Sequence, residues 1–152
     1  MDKTARILLK IKNKCMRKLS LIVLLTYCSA NIFAQAPDIE WQNTIGGNKE
    51  DVIYSWKKTL DGGFILGGTS TSASSGDKSE NNMGLSATTD YWIVKTDAAG
   101  NIEWENTIGG NKDDVLRDVI QTADGGYLAG GYSVSGIGGD KTEGRLGPPF
   151  YS

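Results

Sequence analysis

A repeat of about 63 residues constrains this sequence more than any other feature. Residues 39–52 recur as residues 102–115, and the same register continues without a gap to residues 76–80 and 139–143. Roughly half of the aligned positions are identical, and chance does not keep one register over so long a stretch. The chain is therefore expected to fold as copies of one unit, and residues one period apart are called counterparts below.

Each unit is predicted to contain two β-hairpins. Gly100-Asn101 and Gly125-Gly126 stand at the turns, where tight hairpins need residues that accept a positive φ. Residues 91–94 are apolar on both faces of their strand, which suits a strand buried between stacked sheets. In the stretch from residue 90 to residue 133 the predicted strands are residues 91–97, 102–108, 115–122 and 127–133.

The recurrence of a four-stranded unit indicates the fold class. The paired glycines at 67–68 and 130–131 leave room for a neighbouring sheet. We predict an all-β fold, namely a β-propeller-like repeat of four-stranded antiparallel units, with a β-sandwich or a solenoid as the alternative. About two blades are present in residues 36–152, the second truncated, whereas a closed ring needs at least about four. The sequence therefore predicts a fragment of a longer protein, or self-association that completes the ring.

Residues 1–35 are predicted to be a secretory signal peptide. A basic start precedes the apolar run 19–25, and an Ala-x-Ala-like end follows at residues 34–36. The run is shorter than a membrane span requires, so no transmembrane span is expected in the mature chain, although an N-terminal anchor is the alternative. Met16 is a possible true start.

The charge distribution argues against nucleic acid as a partner. The leader holds seven basic residues and one acidic residue, so the overall charge of -2 conceals a strongly acidic remainder. An acidic surface repels phosphates and anionic membranes.

The residue types argue against catalysis. The chain has no histidine, and its two cysteines, Cys15 and Cys28, lie in the leader. Hydrolytic triads and most zinc sites need those residues, so the sequence predicts no enzyme. The carboxylates Glu103 and Glu105 share one strand face, but Glu103 recurs as Glu40, which favours a scaffold role over a glycosidase pair.

Calcium is the one metal that the sequence suggests, and no other cofactor is expected. Residues 69–89 are rich in Ser, Thr, Asn and Gly and are predicted to form an exposed loop. Oxygen ligands on such a loop suit Ca²⁺, although turn chemistry explains the same residues equally well. The candidate ligands are Asp77, Glu80, Asn82, Asp140 and Glu143.

The tryptophans fall into two groups. Trp41 and Trp104 are counterparts and are predicted to lie in the blade core. Trp56 has Val119 as its counterpart, so its aromatic side chain is not a requirement of the repeat. Trp56 is therefore the candidate contact for an unidentified protein or carbohydrate ligand.

Several segments resemble the repeats of large secreted proteins of Bacteroidetes. These segments are residues 90–95, 100–104, 107–110, 113–114 and 124–127. The resemblance implies propeller-like repeats, secretion or cell-surface display, and often a type IX secretion sorting domain, which this sequence lacks. It implies no defined reaction.

From these features we expect a secreted or cell-surface, non-catalytic β-repeat scaffold for binding or display. The alternative is the N-terminal piece of a secreted enzyme or adhesin whose functional domain lies downstream.

Overall fold

The regular secondary structure of this chain is antiparallel β-strand. The structure is a computed structural model and describes residues 6–12, by their backbone, together with residues 36–84 and 87–146. Within these ranges no helix is long and apolar enough to cross a membrane. The predicted all-β fold is confirmed. The strands are β1 (Arg6–Lys12), β2 (Asp38–Ile45), β3 (Asp51–Lys58), β4 (Phe64–Ser70), β5 (Asp90–Thr96), β6 (Ile102–Ile108), β7 (Asp114–Gln121) and β8 (Tyr127–Ser133).

The strands form one four-stranded sheet flanked by two sheets of two strands. Strands β3, β4, β5 and β6 pair in that order as an antiparallel meander, while β1 pairs with β2 and β7 with β8. The four-stranded unit is confirmed, but its boundary is not where the sequence put it. The hairpins β5–β6 and β7–β8 were predicted to share a unit, whereas a sheet boundary separates them. A repeat does not fix this boundary, because shifting it by one hairpin leaves the period unchanged.

The two outer sheets copy the two halves of the central sheet. Ile45 pairs with Arg6 as its counterpart Ile108 pairs with Tyr91, and both pairs of strands carry a bulge five residues further on. Strand β1 thus holds, beside β2, the place that β5 holds beside β6. It falls inside the predicted leader, where no strand was predicted. Residues 1–5, 13–35 and 147–152, including Met16, lie outside the described residues.

The central sheet buries apolar side chains on both faces, as residues 91–94 predicted. One cluster joins Ile45 of β2 to Leu66, Trp92 and Val94. The other joins Ile65 and Ile93 to Leu116 and Val119 of β7. Each outer sheet therefore packs against one face of the central sheet, as neighbouring blades do.

Glycines allow the central sheet and β7 to approach closely. A Cβ at Gly67 would lie 2.7 Å from Leu116 Cδ2 and 2.8 Å from Val119 Cγ1, which confirms the room predicted for a neighbouring sheet. A Cβ at Gly68 would instead meet the carbonyl oxygen of Val52 within the same sheet, at 1.7 Å. The counterpart of Gly67, Gly130, has nothing within 4 Å. At the turns, Gly100 and Gly125 take φ angles of 85° and 89°, whereas Asn101 stays at negative φ.

Substituting Gly67 by valine should weaken the contact between β4 and β7. We expect Gly67→Val to lower the free energy of unfolding by about 1–3 kcal/mol, because the added side chain overlaps Leu116 and Val119. Gly130→Val is the matched control and should change it by less than about 0.5 kcal/mol. Urea denaturation measures both, and equal losses would contradict the close approach.

Candidate functional site

Polar side chains gather where β2 passes into β3. The turn at Gly46-Gly47 is held by two carboxylates. Asp51 Oδ2 accepts a hydrogen bond from the N–H of Gly47 at 2.7 Å, and Asp77 Oδ2 accepts one from the N–H of Gly46 at 3.1 Å. Ser72 Oγ donates a further hydrogen bond to Asp51 Oδ2 at 3.1 Å. Short polar side chains thus satisfy backbone donors that no strand pairs with.

The second copy repeats this arrangement contact for contact. Asp114 Oδ2 accepts from the N–H of Gly110 at 2.7 Å and from Ser135 Oγ at 2.8 Å. Asp140 Oδ2 accepts from the N–H of Gly109 at 3.2 Å. The pairs Glu50-Asp51 and Asp113-Asp114 follow Gly-Gly-Asn-Lys in both copies, and the sequence predicts them to be turn residues. The hydrogen bonds of Asp51 and Asp114 to the turn glycines agree with that prediction.

The long loop between β4 and β5 is anchored rather than fully exposed. Lys78 is 1% exposed, and its Nζ donates to the carbonyl oxygen of Glu80 at 2.5 Å. Glu80 Oε2 accepts from the N–H of Thr107 at 2.7 Å, and Asn82 Nδ2 donates to the carbonyl oxygen of Ser70 at 2.8 Å. The prediction of an exposed loop is therefore confirmed for residues such as Asp77 and Glu80, and it is wrong for Ser72 and Lys78, which are buried. Composition predicted a loop, but it did not reveal that polar side chains would bind the loop to the sheet.

The five calcium candidates are placed at different points of this network. Asp77 and Asp140 each hold a separate turn, and Glu143 is exposed. In the parts of residues 36–146 that the structure describes, no three Asp, Glu, Cys or His side chains are grouped so as to hold a metal ion. Glu80 and Asn82 do lie in one loop, with their polar atoms directed to backbone groups. Calcium binding stays a prediction.

Asp90 is a buried carboxylate at the same end of the central sheet. It is fully buried; Oδ2 accepts from the N–H of Met83 at 2.5 Å, and Oδ1 has no hydrogen-bond partner among the described residues. Burial raises the pKa of Asp90 to about 6, with Asp114 adding to the rise, while Lys78 and the Met83 hydrogen bond oppose it.

Stability should therefore fall as pH rises through the range that Asp90 titrates. The folded chain holds this proton more tightly than the unfolded chain, whose carboxyl has a pKa near 3.8. The contribution of Asp90 to the free energy of unfolding should be highest below about pH 4, should decrease by on the order of 1–3 kcal/mol up to about pH 6, and should then level off. Asp90→Asn should abolish this decrease and be more stable than the wild type at pH 7.5.

Asp97→Asn is the control, because the stabilisation by Asp97 changes with pH in the direction opposite to that of Asp90. Hydrogen bonds from Asn101 lower the pKa of Asp97, so this carboxylate stabilises the fold above its ordinary pKa and loses that effect as the pH falls. Thermal unfolding of the three proteins between pH 3.5 and 8 measures the effect. Parallel curves for the wild type and Asp90→Asn would contradict it.

Lys95 forms a second buried ionic centre at the other end of the central sheet. Its side chain is 2% exposed, and Nζ lies 2.7 Å from Asp61 Oδ2 and 2.6 Å from Glu103 Oε2. It also donates to the carbonyl oxygen of Thr96 at 3.0 Å. Burial opposes the charge of Lys95, but its hydrogen bonds to both carboxylates outweigh it and raise its pKa. The hydrogen bond from Lys95 to Asp61 holds the pKa of Asp61 well below its ordinary value.

The two glutamates that were weighed for catalysis both have structural partners. Glu103 pairs with Lys95, as described. Glu105 Oε2 accepts from Trp92 Nε1 at 2.7 Å, and its Oε1 accepts from the N–H of Ser79 at 2.9 Å. Their carboxylates bind different partners, and the scaffold role of Glu103 and Glu105 stays a prediction.

Removing both carboxylates should cost more than removing the lysine. The double variant Asp61→Asn/Glu103→Gln leaves a buried ammonium without a counter-charge and should therefore lower the free energy of unfolding. Lys95→Met should lose less, because Asp61 and Glu103 are 54% and 45% exposed and can be hydrated. Denaturant unfolding gives both values, and the reverse order would contradict the interpretation.

Asp124→Asn is the control for the turn hydrogen bonds that the Asp61→Asn change also removes. Asp124 is the counterpart of Asp61 and makes the same turn contacts, to Thr122 and Gly126, but no lysine of the described chain pairs with it. Its loss of stability measures the turn contribution alone.

Two tryptophans, Trp41 and Trp104, pack against an aromatic ring of a neighbouring sheet. Trp41 packs edge-on against Phe64 with ring centroids 6.0 Å apart, and Trp104 packs in the same way against Tyr127 at 5.3 Å. The prediction that Trp41 and Trp104 lie in the core is wrong, because Trp41 is only half-buried and Trp104 is 39% exposed. Trp92 is the tryptophan that the core buries.

Trp56 projects from β3 and is 60% exposed. Phe64 contacts one edge of its ring at a centroid distance of 6.3 Å. Close by along the chain, a cleft of about 540 Å³ opens between the β3–β4 turn and the end of β7, with Leu60 and Ile120 on its sides. Trp56 does not line this cleft, and its role in ligand contact stays a prediction.

Comparison with known proteins adds no relative: no protein-family model matches the sequence, and no curated protein matches it.

Proposed function

We propose that this chain is a secreted or cell-surface, non-catalytic scaffold that binds or displays a partner. The observation that carries the proposal is that its conspicuous carboxylates do the same structural work in both copies. Asp51 and Asp77 hold one turn as Asp114 and Asp140 hold the other. A catalytic site is normally single, whereas a repeated contact is typical of a scaffold.

The sequence supports the location. Residues 1–35 have the basic, apolar and small-residue regions of an export signal. The resemblance to secreted repeats, which would include a type IX route for the longer protein, points the same way. Cleavage after residue 35 would also remove β1 and open the outer edge of β2.

Trp56 is the residue that we propose for ligand contact. Its exposed ring can stack on a sugar or pack against a protein side chain. Calcium, if it binds, would be held by the loop candidates Asp77 and Glu80 and would stabilise the loop.

Export of the chain tests the proposal. The full chain with a C-terminal tag, expressed in a bacterial host, should leave the cytoplasm and begin near residue 36 by mass spectrometry. A matched variant, Leu24→Arg, interrupts the apolar run and should remain inside with the leader attached.

Two results would contradict the proposal. Retention of the wild type with residues 1–35 intact would remove the basis for secretion. A hydrolase or oxidoreductase activity in the purified exported chain would overturn the non-catalytic role and favour the enzyme alternative.

A further inference from the structure

Strands β3 and β7 are counterparts that differ more than the other counterpart strands do. Asp51 and Val52 recur as Asp114 and Val115, and every later position of β3 carries a different residue in β7. In contrast, Glu105 is the one residue of β6 that differs from its counterpart in β2. Because the second copy forms the same strand with other side chains, the fold does not require the particular residues of β3. A function specific to this strand would account for them.

The side chains that differ are exposed although both faces of their sheet are covered. Strand β2 packs on one face of the central sheet and β7 on the other. Tyr54 and Trp56 are nevertheless 47% and 60% exposed, and Lys57 and Lys58 are exposed as well. Strand β3 is an end strand of the central sheet, and no described strand pairs with its free edge. The exposure of these side chains therefore follows from their place on β3 and does not depend on a missing neighbouring sheet.

Arg117 of β7 is held beside this edge by aromatic rings. Tyr54 and Arg117 are counterparts, and each is the extra residue of a β-bulge, a feature that redirects a side chain. The Cζ of Arg117 lies 5.0 Å from the ring centroid of Tyr54 and 5.3 Å from that of Tyr132. Among the residues that the structure describes, no carboxylate pairs with Arg117. Rings stacked on a guanidinium orient it and leave its in-plane N–H donors for a carboxylate.

Positive charge gathers at this edge of an otherwise acidic region. Residues 36–152 carry many more acidic than basic side chains. At the β3–β7 edge, however, three basic side chains accompany one acidic side chain, Asp118, which pairs with Lys57 at 3.0 Å. The basic residues are Lys57, Lys58 and Arg117, and none of them has a basic counterpart in the other copy. Lys57 and Lys58 also line the cleft of about 540 Å³ at the β3–β4 turn, which leaves room for a ligand beside them.

The combination of aromatic and basic groups fits an acidic sugar. Trp56 and Lys58 are two residues apart and therefore lie on the same face of β3, so a ring stacked on Trp56 has an ammonium beside it. Arg117 lies on the side of β7, and the unpaired backbone groups of the free edge between them can bind hydroxyls. A uronic acid carries one carboxylate per ring, whereas the acidic remainder of the chain would repel the denser charge of a nucleic acid.

We propose that the edge formed by Trp56, Lys58 and Arg117 binds a polysaccharide of uronic acids. Lys58 and Arg117 bind carboxylates of the polysaccharide, and Trp56 stacks on one of its sugar rings. This proposal rests on the ligand contact already proposed for Trp56 and names the chemical class of that ligand.

Isothermal titration of the full chain with a short oligogalacturonate and a short oligomannuronate tests the proposal. At least one of the two should bind saturably. The methyl ester of the bound oligomer keeps the sugar rings but lacks their charge, and it should bind about tenfold more weakly.

The variants use residues that the other copy carries at the same position, so that each is expected to fold. Trp56→Val, Lys58→Gln and Arg117→Tyr should each weaken uronate binding by about fivefold or more. Of these, Trp56→Val alone should also weaken binding of the ester, because stacking requires no charge. Lys112→Gln is the matched control, since it removes an exposed lysine between β6 and β7 and should leave the affinity unchanged. Urea denaturation verifies that each variant is folded.

Four results would overturn the proposal: neither uronate binds; the ester binds as tightly as the acid; Lys112→Gln weakens binding as much as Lys58→Gln does; or a short polyglutamate peptide binds more tightly than the uronates, which would assign the edge to an acidic protein. If Trp56→Val alone weakens binding, the contact at Trp56 remains and the acidic class of ligand is wrong. Failure of export, or an enzymatic activity, would contradict the proposed function without changing these affinities, so the two failures can be told apart.

Discussion

Burial of the central sheet on both faces is the constraint on which the rest of the structure depends. Ile65 and Ile93 face one neighbour while Leu66 and Trp92 face the other, so neither face can be left to water. A sheet of this kind is stable only between two others, and the absence of a side chain at Gly67 sets how closely one of them approaches. The repeat is therefore a consequence of the core, because each unit supplies the surface that the next one covers.

Polar contacts at the ends of the sheets add to the stabilisation that apolar packing provides. The sheet ends carry backbone groups that no strand pairs with, and aspartates such as Asp51 and Asp114 satisfy them at matching distances. At the opposite end, one buried lysine links the β3–β4 turn to β5 and β6 through Asp61 and Glu103. Charge in this molecule thus orients strands. Asp90 is the exception, because burial raises its pKa to about 6 and its ionisation at neutral pH therefore costs stability.

Much of the fold could be read from the sequence, because strands and turns have local signals and the repeat confirms each one twice. The glycine turns and the apolar run 91–94 were sufficient for the hairpins and the buried strand. The sheet boundary was not predictable, because the length of a repeat does not say at which residue the folded unit begins. The burial of Lys78 was not predictable either, because it depends on contacts distant in sequence. The recurrence of Trp104 favoured a position in the core, but recurrence alone does not determine how deeply a side chain is buried. The calcium candidates come from segments of similar composition, but they lie at different places in the fold.

The offset between repeat and sheet has a consequence for how such a chain can grow. The four-stranded sheet spans Asp51 to Ile108 and therefore straddles the join between the two copies. A duplication of one period, begun at any residue, adds one complete sheet to the interior and leaves every existing hairpin intact. The genetic unit and the folding unit need not coincide, and lengthening the protein by recombination requires no breakpoint at a structural boundary.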